Sequence, residues 1–456
     1  MDKLKALSVL DGRYGRITSS LGEVFSEYGL IRHRVFVEIQ WLKFLTTELG
    51  LADIPSQDLP KLDEIFADFH SGSAEQVKAI EKTTNHDVKA VEYYIKEKLA
   101  TAGLSSIKEW VHFACTSEDI NNTAYALMLK KGRDFAAETV LEVLERVEAL
   151  GEQYKSIPMM SRTHGQPASP TTVGKEFINF AWRIREELGK FRETDIQGKF
   201  NGATGNFNAH AFVFPEIDWM EASRKFIADY LHITPLLYTT QINPYNYIST
   251  LLHNLIRIAA IMIDLDRDMW GYISLGYFKQ KTKEGEVGSS TMPHKVNPID
   301  FENSEGNMGI AISMAEHLAV KLLQSRFQRD LSDSTVLRNL GAIFGYFQIG
   351  MQSALKGLSK IDLNQKVIEN DLENNQELLA EPIQTAMRVF GEENPYEKLK
   401  ELTRGRKITH ESLEIFIDKL DKVPSDVKGR MKKLYVKDYT GMAEDLIDHY
   451  FARKSI

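Results

Sequence analysis

The stretch from Tyr247 to Leu275, YISTLLHNLIRIAAIMIDLDRDMWGYISL, decides the fold class of this chain. Its apolar residues recur every three or four positions, which is the spacing of one face of an α-helix. No proline interrupts the stretch and its one glycine is Gly271, so the pattern predicts a continuous helix throughout. Such a helix is well above the mean length of about 11–12 residues and is typical of a helical bundle.

Four further segments carry the same periodicity and complete a set of five. They are Phe135 to Leu150, Phe177 to Phe191, Glu302 to Gln324 and Val336 to Leu358. Some of them carry apolar residues on more than one face, which predicts burial against other subunits. No alternating strand pattern of any length occurs, and we predict at most a short hairpin in Asn201 to Phe207. The predicted fold class is all-α, with a long central helical bundle flanked by two smaller helical domains.

The predicted domain boundaries lie where the helix length changes. Shorter helical patterns precede residue 111, and they return after Leu363. We therefore predict an N-terminal helical domain at 1–111, a central long-helix bundle domain at 112–364 and a C-terminal helical domain at 365–456. At 456 residues the chain is long enough for this division and for a large buried core.

The composition, 43% hydrophobic and 26% charged, is ordinary for a soluble globular protein. The net charge of -8 argues against wholesale nucleic-acid binding. A single cysteine, Cys115, excludes an internal disulfide and a cysteine-rich zinc site, and no HExxH motif or carboxylate cluster indicates another metal. The N-terminus has no apolar segment of signal-peptide length, and no uninterrupted apolar run reaches the roughly 18 residues of a membrane span. We expect a cytoplasmic enzyme that binds no metal, nucleic acid or membrane.

The loop Gly288-Ser-Ser-Thr-Met-Pro-His-Lys-Val-Asn-Pro298 combines groups that can act together on a proton. A serine hydroxyl is a poor base unless a nearby cation lowers the cost of its anion, and Lys295 is close enough in sequence to do so. Asn297 can donate hydrogen bonds to a carboxylate oxygen that gains charge in a transition state. By composition alone, most loops of this kind are surface loops. The composition leaves both interpretations open.

The order of these residues resembles GSSxMPxKxNP, the signature loop of the fumarase/aspartase superfamily, and every fixed position of that pattern is present. Enzymes of that superfamily split a C–N or C–O bond of a succinyl compound by β-elimination and release fumarate. The resemblance implies that Ser289 is the catalytic base. It also implies that Lys295 assists catalysis by holding the substrate carboxylate together with Asn297.

Two further segments, SRTHGQPA around His164 and TTNHDVKAVEYY around His86, resemble signatures of one branch of that superfamily. This branch cleaves succinylated purine nucleotides. The resemblance implies that His164 is the general acid and that His86 assists it, with Asn85 and Asp87 in contact with substrate. A lone histidine is more often structural, and Asn85 or Asp87 could equally begin the helix that follows.

The substrate-binding residues come from segments that resemble the same branch. Thr116 and Ser117, in HFACTSEDINN, correspond to a pair that binds the succinyl carboxylate through hydroxyls and helix N–H groups, although a plain N-cap explains them too. The run RDLSDSTVLRNLG offers arginine forks for phosphate, although a solvated charged face is the commoner explanation of such a run. The resemblance implies further substrate contacts from Arg13, Tyr14, Gln241, Asn303, Arg329, Ser334, Thr335 and Arg338.

The resemblance implies the release of fumarate from adenylosuccinate, giving AMP, and from SAICAR, giving AICAR, in purine nucleotide biosynthesis. It implies no cofactor, because the carboxylate beside the reacting carbon is the electron sink. It also implies a homotetramer with sites shared between subunits, since the three signatures lie far apart along rod-like helices. Two alternatives remain: another superfamily lyase acting on argininosuccinate, aspartate or malate, and a catalytically silent helical scaffold protein. The phosphate-type arginines speak against the first, and Ser289, His164 and Lys295 speak against the second.

Overall fold

The computed structural model describes residues 3–281, 296–403 and 408–454. These residues are mostly helical, which confirms the predicted all-α class. The chain forms two compact units, each made from three separate parts of the sequence. The first unit comprises Met1–Val140, Glu187–Ile263 and Ser304–Gln352, and the second comprises Leu141–Glu186, Asp264–Asn303 and Ser353–Ile456. The three sequence domains defined above stay a prediction.

Five α-helices form in the described residues before position 111, and they share a hydrophobic core. Ser26 separates the first two, because its side chain accepts a hydrogen bond from the Gly29 N–H at 3.2 Å and caps the second. Fully buried core residues include Val35, Leu62 and Val91. The five helices are α1 Gly15–Phe25, α2 Glu27–Thr47, α3 Pro60–Ala67, α4 Ser71–Thr84 and α5 Asp87–Thr101.

The next eight α-helices of the described chain include helices in all five long segments that the sequence predicted. The stretch from Tyr247 to Leu275 forms a continuous helix, as its periodicity indicates. The predicted helix from Val336 to Leu358 is interrupted at Arg338 and Asn339, so it forms two helices. The eight helices are α6 Ser117–Gln153, α7 Val173–Arg192, α8 Asn208–Val213, α9 Trp219–Lys225, α10 Asn246–Ser274, α11 Ile299–Lys321, α12 Ser332–Leu337 and α13 Leu340–Lys360.

Shorter helices return after Leu363, as the sequence predicted. Their apolar residues Ile368, Ile383, Leu413 and Ile447 are almost completely buried within the second unit. Six α-helices lie in the described part of this region. They are α14 Gln365–Glu373, α15 Ala380–Val389, α16 Pro395–Thr403, α17 His410–Asp418, α18 Ser425–Lys432 and α19 Ala443–Lys454.

Short strands form where the sequence gave no strand signal, so the expectation of at most one short hairpin, in 201–207, is wrong in detail. The longest pair is the antiparallel hairpin of β1 Pro158–Thr163 and β2 Gln166–Thr172. Several prolines and few β-branched residues precede Thr171 in this hairpin, so neither alternation nor propensity marked it.

Two smaller pairs complete the strands of the described chain. β3 Gln197–Gly198 runs parallel to β4 Thr234–Pro235, and β5 Phe278–Gln280 runs antiparallel to β6 Ile361–Leu363. The hairpin predicted in 201–207 is not formed, and this segment consists of turns and irregular backbone.

Among the described residues, α10 is the one helix that is long and apolar enough to cross a membrane. Most of its apolar window is buried inside the protein. It also carries Arg257, Asp264 and Asp266. These features are typical of a core helix of a helical bundle.

The end of α6 and the start of α7 approach each other closely at Gly151 and Gly174 within the second unit. The N–H of Gly174 donates to the carbonyl oxygen of Tyr154 at 3.0 Å, which satisfies one of the free donors at the start of α7. A Cβ atom on Gly174 would lie 2.3 Å from the carbonyl oxygen of Gly151 and 2.7 Å from Cα of Lys155. Glycine is therefore required for this contact.

We expect Gly174→Ala to lower the free energy of unfolding by roughly 1–3 kcal/mol, because backbone atoms must move apart to admit the methyl group. Gly189→Ala in the same helix is the matched control, since a Cβ there meets no described atom within 4 Å. The control should raise the free energy of unfolding by roughly 0.5–1 kcal/mol, the gain of alanine over glycine in a helix. Denaturant unfolding of both variants measures the difference, and equal midpoints would contradict the close contact.

Candidate active site

A cleft of about 620 Å³ opens on the first unit, which is a size typical of small-molecule sites. Its walls come from α2, the turn between α4 and α5, the start of α6 and the segment around α12. The structure therefore brings together residues that are far apart in the sequence. Eight residues predicted from the sequence line the cleft: Asn85, His86, Asp87, Ser117, Arg329, Ser334, Thr335 and Arg338.

The turn between α4 and α5 positions Asn85 and His86 at the cleft. Asn85 ends α4 in the left-handed conformation, with φ of 50°, which asparagine adopts more readily than most residues. His86 is the N-cap of α5, and its Nδ1 accepts a hydrogen bond from the Lys89 N–H at 3.2 Å. A neutral imidazole that accepts through Nδ1 carries its proton on Nε2. His86 therefore caps the helix and keeps an N–H donor on its other ring nitrogen.

Asp87 joins two arginines that line the cleft. Its Oδ2 accepts a hydrogen bond from Nη2 of Arg34 at 2.7 Å and lies 3.5 Å from Nη2 of Arg338. Burial opposes the ionisation of Asp87, but Arg34, the Val88 N–H and Arg338 together hold its pKa below the ordinary value. Arg338 also donates to Oε2 of Glu27 at 2.6 Å. Neighbouring carboxylates thus fix both guanidinium groups in position, as a pre-organised anion site requires.

Arg329 is held by three neighbours. Its Nη1 donates to Oε1 of Gln241 at 3.0 Å, and its Nη2 lies 3.4 Å from Oγ of Ser334 and 3.3 Å from Oε2 of Glu118. Gln241 is itself anchored, because its amide donates to the carbonyl oxygen of Ala203 at 3.0 Å. The structure therefore joins Gln241 to the cleft through Arg329.

A buried ion pair fixes the start of α6. Thr116 occupies the N-cap position before Ser117, and its N–H donates to Oδ2 of Asp119 at 2.8 Å. Asp119 and Lys199 have fully buried side chains, and Nζ of Lys199 lies 2.9 Å from Oδ1 of Asp119. The same carboxylate accepts the Asn201 N–H at 3.0 Å. These bonds determine where the first turn of α6 places Ser117.

His164 belongs to the second unit and lies at the tip of the β1–β2 hairpin, between α6 and α7 as predicted. His164 and Gly165 form a two-residue turn with φ of 53° and 74°, both positive as in a type I′ turn. The His164 side chain is exposed. Strand β1 is anchored by Arg162, which donates to Asp371 at 2.7 Å, and Tyr277 also donates to Asp371. An anchored hairpin with a tight turn thus presents the imidazole.

Two predicted residues of the first unit, Arg13 and Tyr14, lie in the turn before α1 and do not line the cleft. The Arg13 guanidinium carbon is 5.7 Å from the centroid of the Tyr14 ring. Tyr14 is the N-cap residue of α1, without a side-chain cap bond. The substrate contacts predicted for these two residues stay a prediction.

The remaining predicted residues lie in the second unit or outside the described residues. Asn303 donates to Oγ of Ser353 at 2.8 Å, and Asn297 is half-buried in the segment before α11. Ser289 and Lys295 lie outside the described residues. The roles predicted for these four residues stay predictions.

Sequence reasoning missed several residues of the cleft. Arg34 lines it with a side chain that is 3% exposed, and its Nε donates to Oδ1 of Asn121 at 2.9 Å. Tyr125 lines it as well, and burial raises the pKa of its phenol to about 12. A signal for Arg34 existed, because an arginine among the buried apolar residues of α2 is rare unless it is paired.

The lining of the cleft suits an anion. Guanidinium forks bind phosphate through two parallel hydrogen bonds, and hydroxyls donate to the remaining oxygens. Within the described ranges, no group of three or more His, Cys, Asp and Glu side chains is arranged to hold a metal ion. The groups suited to phosphate are the guanidinium groups of Arg34, Arg329 and Arg338 and the hydroxyls of Ser117, Ser334 and Thr335.

Comparison with known proteins gives consistent matches along the chain. A family model described as "Lyase" matches residues 12–312, and one described as "Adenylosuccinate lyase C-terminal" matches residues 325–440. Curated adenylosuccinate lyases of Vibrio cholerae serotype O1 and Escherichia coli (strain K12) are each 50% identical, over 98% of this chain and 99% of their own length. The adenylosuccinate lyase of Legionella pneumophila (strain Corby) is 48% identical over 97% of this chain and 98% of its own length.

Two solved structures share the fold at much lower identity. The 3-carboxy-cis,cis-muconate lactonizing enzyme of Pseudomonas putida superposes with a TM-score of 0.76 at 16% identity, over 96% of this chain and 97% of its own. The fumarate lyase of Mesorhizobium sp. BNC1 gives the same TM-score and identity, over 95% and 97%. At this identity the likeness establishes the fold alone.

The long-helix fold and the match to the Lyase family model define a lyase of the fumarase/aspartase superfamily. This confirms the superfamily that the signature loop indicated. Within it, the chain belongs to the adenylosuccinate lyase family, because curated members are about half identical to it over nearly their whole length.

We expect Lys199→Met to lower the free energy of unfolding by roughly 3–5 kcal/mol, because it leaves the Asp119 carboxylate buried without its counter-charge. The double variant Asp119→Asn/Lys199→Met should recover part of this loss, since no buried charge remains. Lys43→Met is the control: the Lys43–Asp63 pair has the same type of contact at 2.7 Å but is partly exposed, so we expect a change below about 1 kcal/mol. Denaturant unfolding measures all three, and similar losses for Lys199→Met and Lys43→Met would contradict the argument.

Proposed function

We propose that this chain eliminates fumarate from adenylosuccinate and leaves AMP. The observation that carries this proposal is the cleft of the first unit, with its three guanidinium groups and three hydroxyls. A nucleotide 5′-phosphate carries close to two negative charges at neutral pH, and such groups bind it through charge-assisted hydrogen bonds. Relatives at 48–50% identity over nearly the whole chain bear the name of this activity. We extend the proposal to SAICAR, which carries the same succinyl group and would give AICAR in purine nucleotide biosynthesis.

The reaction removes a proton from the carbon beside a carboxylate and expels the nitrogen on the adjacent carbon. We assign the base to Ser289, with Lys295 stabilising its alkoxide. The charge of the resulting carbanion spreads into the neighbouring carboxylate, where Lys295 and Asn297 hold it. Because that carboxylate is the electron sink, the elimination requires no cofactor.

We assign the general acid to His164, which protonates the departing nitrogen. Its exposed position on an anchored hairpin leaves the imidazole accessible to a substrate, and a positioned acid contributes about 10²–10⁴-fold in rate. His86 assists through its Nε2–H donor, which the helix-capping bond leaves free. Substrate contacts are further assigned to Arg13, Tyr14, Asn85, Asp87, Thr116 and Asn303.

We also propose that the active enzyme is a homotetramer whose sites are shared between subunits. Exposed apolar residues on α11 and just beyond its end support this, because Ile310, Val320 and Leu323 are 45%, 55% and 50% exposed. Gly306 lies on the same helix, and a Cβ there would meet no described atom within 4 Å. Glycine inside a helix costs about 0.5–1 kcal/mol relative to alanine, and a second copy packed closely on this helix would account for both features. We place the assembly in the cytoplasm, where purine nucleotides are made.

The first test is the release of fumarate, followed by its absorbance, from adenylosuccinate and SAICAR. We expect turnover of both nucleotides and none of argininosuccinate, aspartate or malate. Ser289→Ala should lower kcat by about 10²–10⁴-fold, because a positioned base contributes this much. The control is Thr291→Ala, which changes a variable position of the same signature and should stay within a few-fold of the wild type.

Two outcomes would contradict these assignments. A wild-type protein that releases no fumarate from either nucleotide would overturn the proposed function. Full activity in Ser289→Ala would leave the reaction class in place but remove Ser289 as its base.

Shared sites predict complementation between inactive variants. His164→Ala and Ser289→Ala should each be inactive alone and regain activity after they are denatured together and reassembled. Random mixing of equal amounts should restore about a quarter of the wild-type activity. Each site takes His164 from one subunit and Ser289 from another, and about a quarter of the sites then receive both residues intact. Each variant reassembled alone is the control. Mixed assemblies as inactive as the controls would exclude sites that combine His164 and Ser289 from different subunits.

A further inference from the structure

A buried cluster of ionisable side chains adjoins the cleft and has no role in the proposed reaction. The Tyr245 hydroxyl donates to Oε1 of Glu118 at 2.8 Å and lies 3.3 Å from Oδ2 of Asp333. Glu118, Asp333 and Tyr245 are 1%, 4% and 0% exposed. A hydroxyl has a single proton and cannot bond both carboxylates fully at once. Two carboxylates that share one hydroxyl also repel each other when both are ionised, so protonation of one of them is favoured.

Arg329 connects this cluster to the cleft. Its Nη2 lies 3.3 Å from Oε2 of Glu118, and its side chain is 20% exposed where it lines the cleft. Its Nη1 donates to Gln241, so the protein holds the guanidinium through Gln241 as well as through Glu118. A phosphate in the cleft therefore competes with Glu118 for the same cation.

Charged and titratable groups face Glu118 from each neighbouring element. Burial and the negative charge of Asp333 raise the pKa of Glu118 to about 7 against the opposing effect of Arg329. A carboxyl whose pKa is raised toward neutrality can change its protonation in the physiological range. The facing groups are Arg329 and Asp333 from the segment around α12, Tyr245 and Tyr247 from the segment that begins α10, Lys199 from the segment after β3, and Tyr125 from α6 itself.

We propose that Glu118 is a positioning residue for Arg329 that takes up one proton from solvent when a nucleotide phosphate binds in the cleft. This inference rests on the proposed function, since it needs a phosphate ligand on Arg329. A bound phosphate engages the guanidinium that stabilises ionised Glu118 and adds negative charge nearby, and both effects favour the protonated carboxyl. Protonated Glu118 then accepts and donates hydrogen bonds within the cluster, and Arg329 can bind the ligand instead of Glu118. By linkage, ionised Glu118 weakens nucleotide binding, so affinity falls as pH rises above neutrality.

The test measures the protons exchanged when AMP binds. Titration calorimetry in two buffers of different ionisation enthalpy at pH 7 gives the number of protons taken up per site. We expect the wild type to take up more protons than Glu118→Gln, which keeps the shape of the side chain but cannot ionise, and the difference should approach one proton per site as pH rises above neutrality. The AMP phosphate contributes its own titration equally to both proteins, so it cancels in the difference. Above pH 7, the AMP affinity of the wild type should fall relative to that of the variant. This fall should approach roughly tenfold per pH unit.

Two further variants separate this role from a structural one. Tyr245→Phe removes the hydrogen bond that favours ionised Glu118, so its proton uptake should shift to higher pH. Glu148→Gln is the matched control in the second unit, where a glutamate 2% exposed contacts the Tyr450 hydroxyl and the Arg185 guanidinium. This control should leave proton uptake unchanged. If Glu118→Gln fails to fold, the shift in Tyr245→Phe decides the question.

The possible failures are distinguishable. Wild-type protein that releases fumarate and binds AMP, with the same proton uptake as Glu118→Gln at every pH, would overturn this inference and leave the proposed function standing. Wild-type protein that neither binds AMP nor releases fumarate would overturn the proposed function and this inference with it.

Discussion

The buried ion pair between Asp119 and Lys199 is the interaction on which the candidate site depends. It joins the first turn of α6 to the segment after β3, and its carboxylate also accepts the backbone N–H groups of Thr116 and Asn201. Desolvating two charges is costly, and the cost is recovered only where geometry and hydrogen bonding are close to complete. The pair therefore tolerates little displacement, and that rigidity extends to Ser117 and Glu118 on the same turn.

From this fixed turn, charge balance organises the rest of the cleft. Each arginine that lines it contacts at least one carboxylate: Arg34 and Arg338 contact Asp87, and Arg329 contacts Glu118. These carboxylates hold the guanidinium groups in place before a ligand arrives, so less conformational entropy is lost on binding. They also compete with an anionic ligand for the same cations. Anion binding thus depends on how easily each carboxylate releases its arginine. A carboxylate that can accept a proton releases its arginine most easily.

The fold by itself does not select this chemistry. A lactonizing enzyme and a fumarate lyase share it at 16% identity, with the same TM-score. Long amphipathic helices bury their apolar faces in the same way whatever their ends carry, so the scaffold tolerates wide changes in sequence. In the proposed reaction the chemistry comes instead from side chains in the turns between helices, such as His86 after α4 and His164 at the hairpin tip.

The sequence by itself determined the helical class, the set of long helices and most members of the cleft. The apolar periodicity of Tyr247 to Leu275 depends only on local helix geometry, so it predicts the helix from sequence alone. Each signature segment is contiguous in the chain, so it can also be recognised in the sequence. The hairpin around His164 was not predicted, because prolines and polar residues hide its alternation and because Arg162 anchors it to Asp371, a residue more than 200 positions further along the chain.

The tertiary structure alone decided which charges meet. Arg34 reaches Asp87, and Tyr245 reaches both Glu118 and Asp333, from positions far apart in the chain. Nothing in the local sequence of Glu118 distinguishes it from an ordinary acidic residue in the first turn of a helix, where it would remain ionised in water. Burial beside a second carboxylate changes its protonation, and burial is a property of the packed chain rather than of any one segment.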